Sequence, residues 1–109
     1  MINGDALVSI NQAVCYELQA IIKKYGAHYA SPHEGYAVLK EEVEEAEESL
    51  QLLKAKLSTI WQHVKIDCNN PDDICQAQQC AIALAEEAVQ CAAVCERFIA
   101  TLDDMLEKK

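Results

Sequence analysis

The chain has 109 residues, 51% hydrophobic and 25% charged, with three Gly and two Pro, a composition that suits one domain and favours a compact, helix-rich globule over a disordered chain. Eighteen acidic residues against nine basic give a net charge of −9, which argues against nucleic-acid or anionic-membrane binding through clustered Lys and Arg and suits a cation site. No apolar run approaches the roughly 20 residues of a membrane span, and MINGDALVSI lacks a basic stretch followed by a hydrophobic core, so a cytoplasmic protein is expected.

Residues 5–25 place Leu7, Ile10, Val14, Leu18, Ile21 and Tyr25 at helical spacing, predicting an amphipathic helix that Gly26 closes in the left-handed C′ conformation. Lys23 and Lys24 fall in its last turn, where cations suit the helix dipole. Ala27 to Ala30 then form a short connector, with His28 and Tyr29 expected on its rim.

Ser31, Pro32 and Glu34 fit N-cap, N1 and N3 of a capping box: the serine oxygen accepts an orphan N–H, proline occupies a position with no donor to lose, and glutamate reaches back. A helix over 32–65 follows, about 50 Å long at 1.5 Å per residue. Leu39, Val43, Ala46, Leu50, Leu53, Leu57, Ile60 and Val64 recur at steps of four and three along one stripe. After IDCNNPDD, with Asn70 as N-cap and Pro71 at N1, a third helix is predicted over 71–107. Its seam is Ile74, Ala81, Ala85, Ala88, Ala92, Cys95, Ile99, Leu102 and Leu106.

The fold expected is all-α: a single domain, 1–109, of three antiparallel helices that completes a helical bundle by oligomerisation. Three unequal helices leave both long seams partly uncovered, and the ends carrying Trp61 and Phe98 point to burial in another subunit, so a homodimer or higher homo-oligomer is predicted. Counted from the two caps, the second and third helices set Glu87 opposite Leu50 and Gln90 opposite Glu47. The six cysteines are read as reduced thiols filling apolar space. Zinc is the sharper alternative, but no Cys-x-x-Cys occurs, and the sequence leaves a bridge between distant positions open.

Six of the eight residues from 41 to 48 are Glu. The plain reading is a solvated acidic face. At 100° per residue, however, Glu42, Glu45 and Glu41 fall along one flank of the core seam, whereas Glu44, Glu47 and Glu48 fall on the other side. Repulsion within that flank is what a divalent cation with oxygen ligands, such as Mg²⁺, relieves. On the third helix Glu87 lies at the edge of the apolar arc beside Cys80, Cys91, Val94 and Phe98, while Arg97 points to the opposite side as a surface cation. A carboxylate on an apolar edge needs a cation or a donor.

In these two segments, SPHEGYAVLKEEVEEAEESL and EEAVQCAAVCERFI, the chain resembles the MazG-like, all-α nucleotide pyrophosphohydrolases, especially the small phage and prophage type. The resemblance spans roughly residues 16 to 102. Glu41, Glu42 and Glu45 match the family's Glu-Glu-x-x-Glu motif, and Glu87 with position 90 matches its Glu-x-x-Asp motif. What the resemblance implies is an oligomeric enzyme that holds Mg²⁺ on Glu41, Glu42, Glu45 and Glu87. Such an enzyme cleaves a nucleoside triphosphate, ribo- or deoxy-, to the monophosphate and pyrophosphate. The chain departs from the pattern in two ways: position 90 is Gln in place of Asp, and 41 residues separate Glu45 from Glu87. Gln90 is thus a candidate for orienting water or substrate without carrying charge, and Lys56 and Arg97 are phosphate clamps by charge type only. Two other readings stay open: a MazG-fold nucleotide-binding or interaction module without catalysis, and a plain helical assembly protein.

Overall fold

The computed structural model describes residues 1–108 and consists of three helices, α1 (Gly4–Tyr25), α2 (Pro32–Lys65) and α3 (Pro71–Glu107), with no strand among the described residues. α2 and α3 start where their caps predict, and α1 starts one residue before the expected 5, on an Asn3 cap that the sequence reading did not name. The Asn3 carboxamide accepts from the Ala6 N–H at 2.8 Å, the Ser31 hydroxyl from Glu34 at 3.2 Å, and the Asn70 carboxamide from Asp72 at 3.0 Å, so each side chain supplies an acceptor to an orphan donor of the first turn. Glu34 reaches back as expected but takes the N–H of Ala30, at 3.3 Å. The ends follow different rules. Gly26 has φ 92 and ψ 173, outside the predicted left-handed well and in a region that only glycine enters freely. After α2, the Cys68 N–H reaches the His63 carbonyl and the Asp67 N–H the Val64 carbonyl, with Asp67 at φ 55. That is a Schellman turn with a side chain where glycine is usual.

The chain divides into two compact units, one of residues 1–42 with 89–109, the other of residues 43–88. In the first, α1 and the initial turns of α2 pack with the end of α3. The buried residues there are Val14, Tyr29, Ala93 and Val94, together with Arg97 and Thr101. Arg97, only 6% exposed, is the correction to the surface cation expected from sequence. Its Nε donates to the Gly26 carbonyl at 3.0 Å, and one terminal nitrogen donates to the carbonyls of Tyr25 and His28 at 3.2 and 3.1 Å. The guanidinium also lies 4.0 Å from the centroid of the Tyr29 ring. Thr101 donates to the Arg97 carbonyl and accepts from the Tyr29 N–H. Tyr29 is therefore a core residue, 5% exposed, and not a rim residue. Its hydroxyl alone has no hydrogen-bond partner, a cost of about 1–3 kcal/mol that the ring's packing must exceed.

Phe98 does not stand free either. It meets the Tyr29 ring edge-on at 6.2 Å and covers Gly35 so closely that a Cβ built there lies 2.9 Å from the phenyl ring. Glycine inside a helix costs about 1 kcal/mol relative to alanine; here the ring occupies the space a side chain would need.

In the second unit α2 and α3 form an antiparallel hairpin. His63 pairs with the Asp73 carboxylate, and Lys56 donates to the Gln76 side chain at 2.9 Å. The inward side of α2 carries Glu45, Ser49, Leu53, Lys56, Ile60 and His63, all half-buried; of the predicted seam Leu39, Ala46, Leu53 and Ile60 are half-buried, whereas Val43, Leu50, Leu57 and Val64 are 49, 37, 63 and 44% exposed. On α3 the seam residues Ile74, Ile99 and Leu102 are likewise 56, 58 and 40% exposed. The inward face of α3, through Asp73, Cys80, Glu87, Cys91 and Val94, is rotated by about one residue position, or 100°, from the predicted stripe, whereas α2 is rotated by less, since half of its predicted seam stays half-buried. All six cysteines are unbridged and none is fully buried: Cys15, Cys68 and Cys75 are exposed and the others half-buried, so apolar filling describes three of them only in part.

Replacing Gly35 by alanine forces Phe98 off its site. Overpacking of this kind costs about 1–3 kcal/mol, against about 1 kcal/mol gained in helix propensity. A net loss of about 1 kcal/mol in chemical denaturation is the expected result, and a gain in stability would show that the Phe98 contact is loose.

Candidate functional site

The candidate residues are set by helix geometry first. On α2, Glu42 and Glu45 are one turn apart on the inward flank and both half-buried, while Glu41, Glu44, Glu47 and Glu48 are exposed. The sequence reading thus separates the two sides of the acidic run, except that Glu41 stands at the solvent edge of its stripe. On α3, Glu87 is half-buried and Gln90, one turn on, is half-buried too.

Within the 43–88 unit the hairpin brings Glu45 and Glu87 together, with carboxylate oxygens within 4.8 Å of one another and a hydrogen bond between the side chains. The count from the caps had put Glu87 opposite Leu50. It holds to one residue at the turn, where His63 meets Asp73, but drifts by more than a helical turn further up. Interdigitating ridges, not matched heights, decide which side chains meet.

Two carboxyl groups that share a hydrogen bond need a proton or a cation between them. Burial, then the hydrogen bond to Glu45, raises the Glu87 carboxyl above its ordinary 4.5, and the charges of Glu45, Glu86 and Glu48 push it the same way. Protonated Glu87 donates to Glu45; ionised, it faces three acids. Crowded carboxylate oxygens of this kind are the donor type that a hard divalent cation takes.

The two basic candidates stand elsewhere. Lys56 is 11 residues beyond Glu45 on the same helix, about 16 Å along its axis, and is engaged with Gln76. Arg97 spends its donors on the connector carbonyls. No Cys or His joins the acids: among the described residues, the clusters of three or more potential ligand groups include no thiol and no imidazole. No family model matches the chain, and neither a curated protein nor a solved structure does.

The raised Glu87 sets the sign of a pH effect. A carboxyl whose folded pKa exceeds its unfolded value contributes stability below the unfolded value, near 4.5, and loses it as pH rises through the folded one. Melting temperature in metal-free buffer is expected to fall as pH is raised from 4.5 toward neutrality, with Glu87→Gln flattening that slope. An unchanged slope in the variant would mean that the pair does not carry it.

Proposed function

We propose that the protein is a Mg²⁺-dependent nucleoside triphosphate pyrophosphohydrolase of MazG-like type, acting as a homo-oligomer. The observation that carries the reading is the Glu45–Glu87 pair: residues from the two halves of the resembling motifs, 41 positions of intervening chain apart, meet carboxyl to carboxyl. Glu42 continues that face one turn earlier on α2, with Glu41 beside it. In this reading Glu41, Glu42, Glu45 and Glu87 are the ligands. The cation, when bound, supplies charge neutralisation for the triphosphate and lowers the pKa of water. One glutamate takes the proton of the attacking water, and Gln90, neutral, orients it through its amide. With Arg97 engaged inside the fold and Lys56 about three turns away, phosphate binding falls to the metal.

The substrate proposed is a nucleoside triphosphate, split between the α and β phosphates to a monophosphate and pyrophosphate. Incubating the pure protein with a panel of ribo- and deoxynucleoside triphosphates and Mg²⁺ is expected to release pyrophosphate, and Glu45→Gln or Glu87→Gln to reduce the rate about 100-fold or more, as loss of a metal ligand or base does. Silence across the panel, with no Mg²⁺ binding by calorimetry, removes the enzyme reading. A second reading, a MazG-fold nucleotide-binding or assembly module that has lost catalysis, is favoured by Gln90 in place of an acid. Activity that appears only in Gln90→Asp selects it.

The open seam motivates the oligomer. Leu50, Leu57, Trp61, Val64 and Ile74 are 37–63% exposed on one hairpin, and apolar stripes of this extent mark a protein interface. A second copy, carrying the same stripe, is the self-complementary partner of a two-fold dimer. Light scattering at micromolar concentration is expected to give at least twice the 12.1 kDa chain mass, and Leu57→Glu with Trp61→Glu to shift it toward monomer; a monomeric wild type contradicts the proposal.

A further inference from the structure

Within the 43–88 unit, α2 presents a second heptad stripe to solvent beside the side it turns to α3. Val43, Glu47, Leu50, Lys54, Leu57, Trp61 and Val64 are all exposed and recur at steps of four and three, the spacing of a coiled-coil seam. Alternate positions are aliphatic, and Glu47, Lys54 and Trp61 stand between them. Charge along this helix is divided. Residues 43–48 hold four Glu and no basic residue, whereas residues 49–65 hold three Lys and no acid. Of these, Glu45 and Lys56 are engaged with α3, which leaves Glu44, Glu47 and Glu48 at one end of the outer side and Lys54 and Lys65 at the other. Chains of net charge −9 repel one another at long range, so two copies meet where the cationic half of one α2 faces the acidic half of the other.

We infer that the occupant of this stripe is the same stripe of a second copy, laid antiparallel across a two-fold axis level with Leu52. The inference rests on the homo-oligomer proposed above and fixes its orientation and register. Glu47 then lies opposite Leu57 of the second copy, Leu50 opposite its Lys54 and Val43 opposite its Trp61, so that each polar or aromatic position faces an aliphatic one. The Lys54 stem lies along Leu50 while its ammonium reaches the edge of the seam. Glu47 stands three residues along the axis from Lys54 of the second copy, about 4.5 Å, and symmetry makes that contact twice. The two Lys54 are four residues apart, about 6 Å, farther than each is from its acid. Sliding the pair by one heptad in either direction brings the two Glu47, or the two Lys54, to the nearer spacing instead. A parallel pair stacks Glu47 on Glu47 and Lys54 on Lys54 and sets the acidic halves side by side. Like-charge contact in the wrong arrangements selects the antiparallel one as much as attraction in the right one does.

Sedimentation equilibrium of the full chain measures the dimer dissociation constant. Glu47→Lys and Lys54→Glu each turn both opposite-charge contacts into like-charge ones. Each is expected to raise that constant about tenfold or more at low salt, with the effect shrinking at about 1 M salt. The double variant, Glu47→Lys with Lys54→Glu, exchanges the charges and is expected to return the constant toward the wild-type value. In a parallel dimer neither single variant changes the sign of any contact, and the constant stays where it was. Carbodiimide, which joins a carboxylate to an amine at contact distance, gives a second measurement. It is expected to link Glu47 of an isotopically labelled chain to Lys54 of an unlabelled one; within one chain the two are seven residues, about 10 Å, apart. Single variants that dimerise as the wild type does, a double variant weaker than either single, or the absence of the Glu47–Lys54 link between chains overturns the register and leaves the dimer standing. A monomeric wild type overturns both. The hydrolase reading is tested separately by pyrophosphate release, since neither Glu47 nor Lys54 belongs to its carboxylate set.

Discussion

The burial of one guanidinium fixes the 1–42/89–109 unit. α1 ends at Tyr25 and α2 begins at Pro32, so the connector carries carbonyls that no helix satisfies. Arg97 meets three of them from α3. The charge is tolerable because its nitrogens are bonded and its flat face lies on Tyr29, the combination for which Arg is suited and Lys is not. In turn the Tyr29 N–H reaches Thr101, Gly26 takes its positive φ, and Ser31 is delivered to cap α2. The direction in which α2 leaves the connector, and so the flank on which Glu34 and Glu42 stand, follows from that arginine.

The inward faces of the long helices have a related logic. A polar side chain is buried when it has a partner: Arg97 and Thr101 have the connector, His63 has Asp73, Lys56 has Gln76, and Glu45 has Glu87. Once these pairs face inward, Val43, Leu50, Leu57 and Val64 are turned outward and left exposed, while Leu53 and Ile60 of the same seam stay half-buried. Burying a large aliphatic side chain is worth about 1.5–3 kcal/mol, more than an exposed ion pair, so the single chain forgoes stabilisation that these side chains could supply. The half-burial of Glu45 and Glu87 goes with the same arrangement, because the acids occupy places on the internal face that leucine would otherwise take.

This explains what could and could not be read in the sequence. Cap chemistry is local, and Ser31–Pro32 and Asn70–Pro71 mark their helix starts; Asn3 carries the same signal for α1 but was not read. The separation of Glu42 and Glu45 from Glu44, Glu47 and Glu48 was legible because it needs only 100° per residue. Three things were not. Arg97 and Tyr29 read as surface residues because their burial depends on carbonyls some 70 positions away, which no periodicity reports. Gly35 looked like an unremarked helical residue because its reason is the Phe98 ring. The hairpin register was off by more than a turn at Glu45 because a count from the two caps fixes heights near the turn and gives no weight to the polar pairs that set the helices further up. A signal did exist for the last: Lys56, His63 and Glu45 share the flank that the acids define, opposite Gln76, Asp73 and Glu87.

Gln90 bears on the carboxylate site through electrostatics as much as through coordination. It lies one turn from Glu87 on the same side of α3, where the acid of the resembling motif would stand. Glu87 already faces Glu45, Glu86 and Glu48, and its carboxyl is raised first by burial and then by these neighbours. A further carboxylate one turn away would raise it again and deepen the repulsion that the metal-free fold must bear. A neutral amide spares the fold that cost. On the proposed metal reading it would also remove one anionic ligand, and since Coulomb attraction to a divalent ion counts twice what repulsion between single charges does, the net effect there would be weaker binding than an acid at position 90 would give.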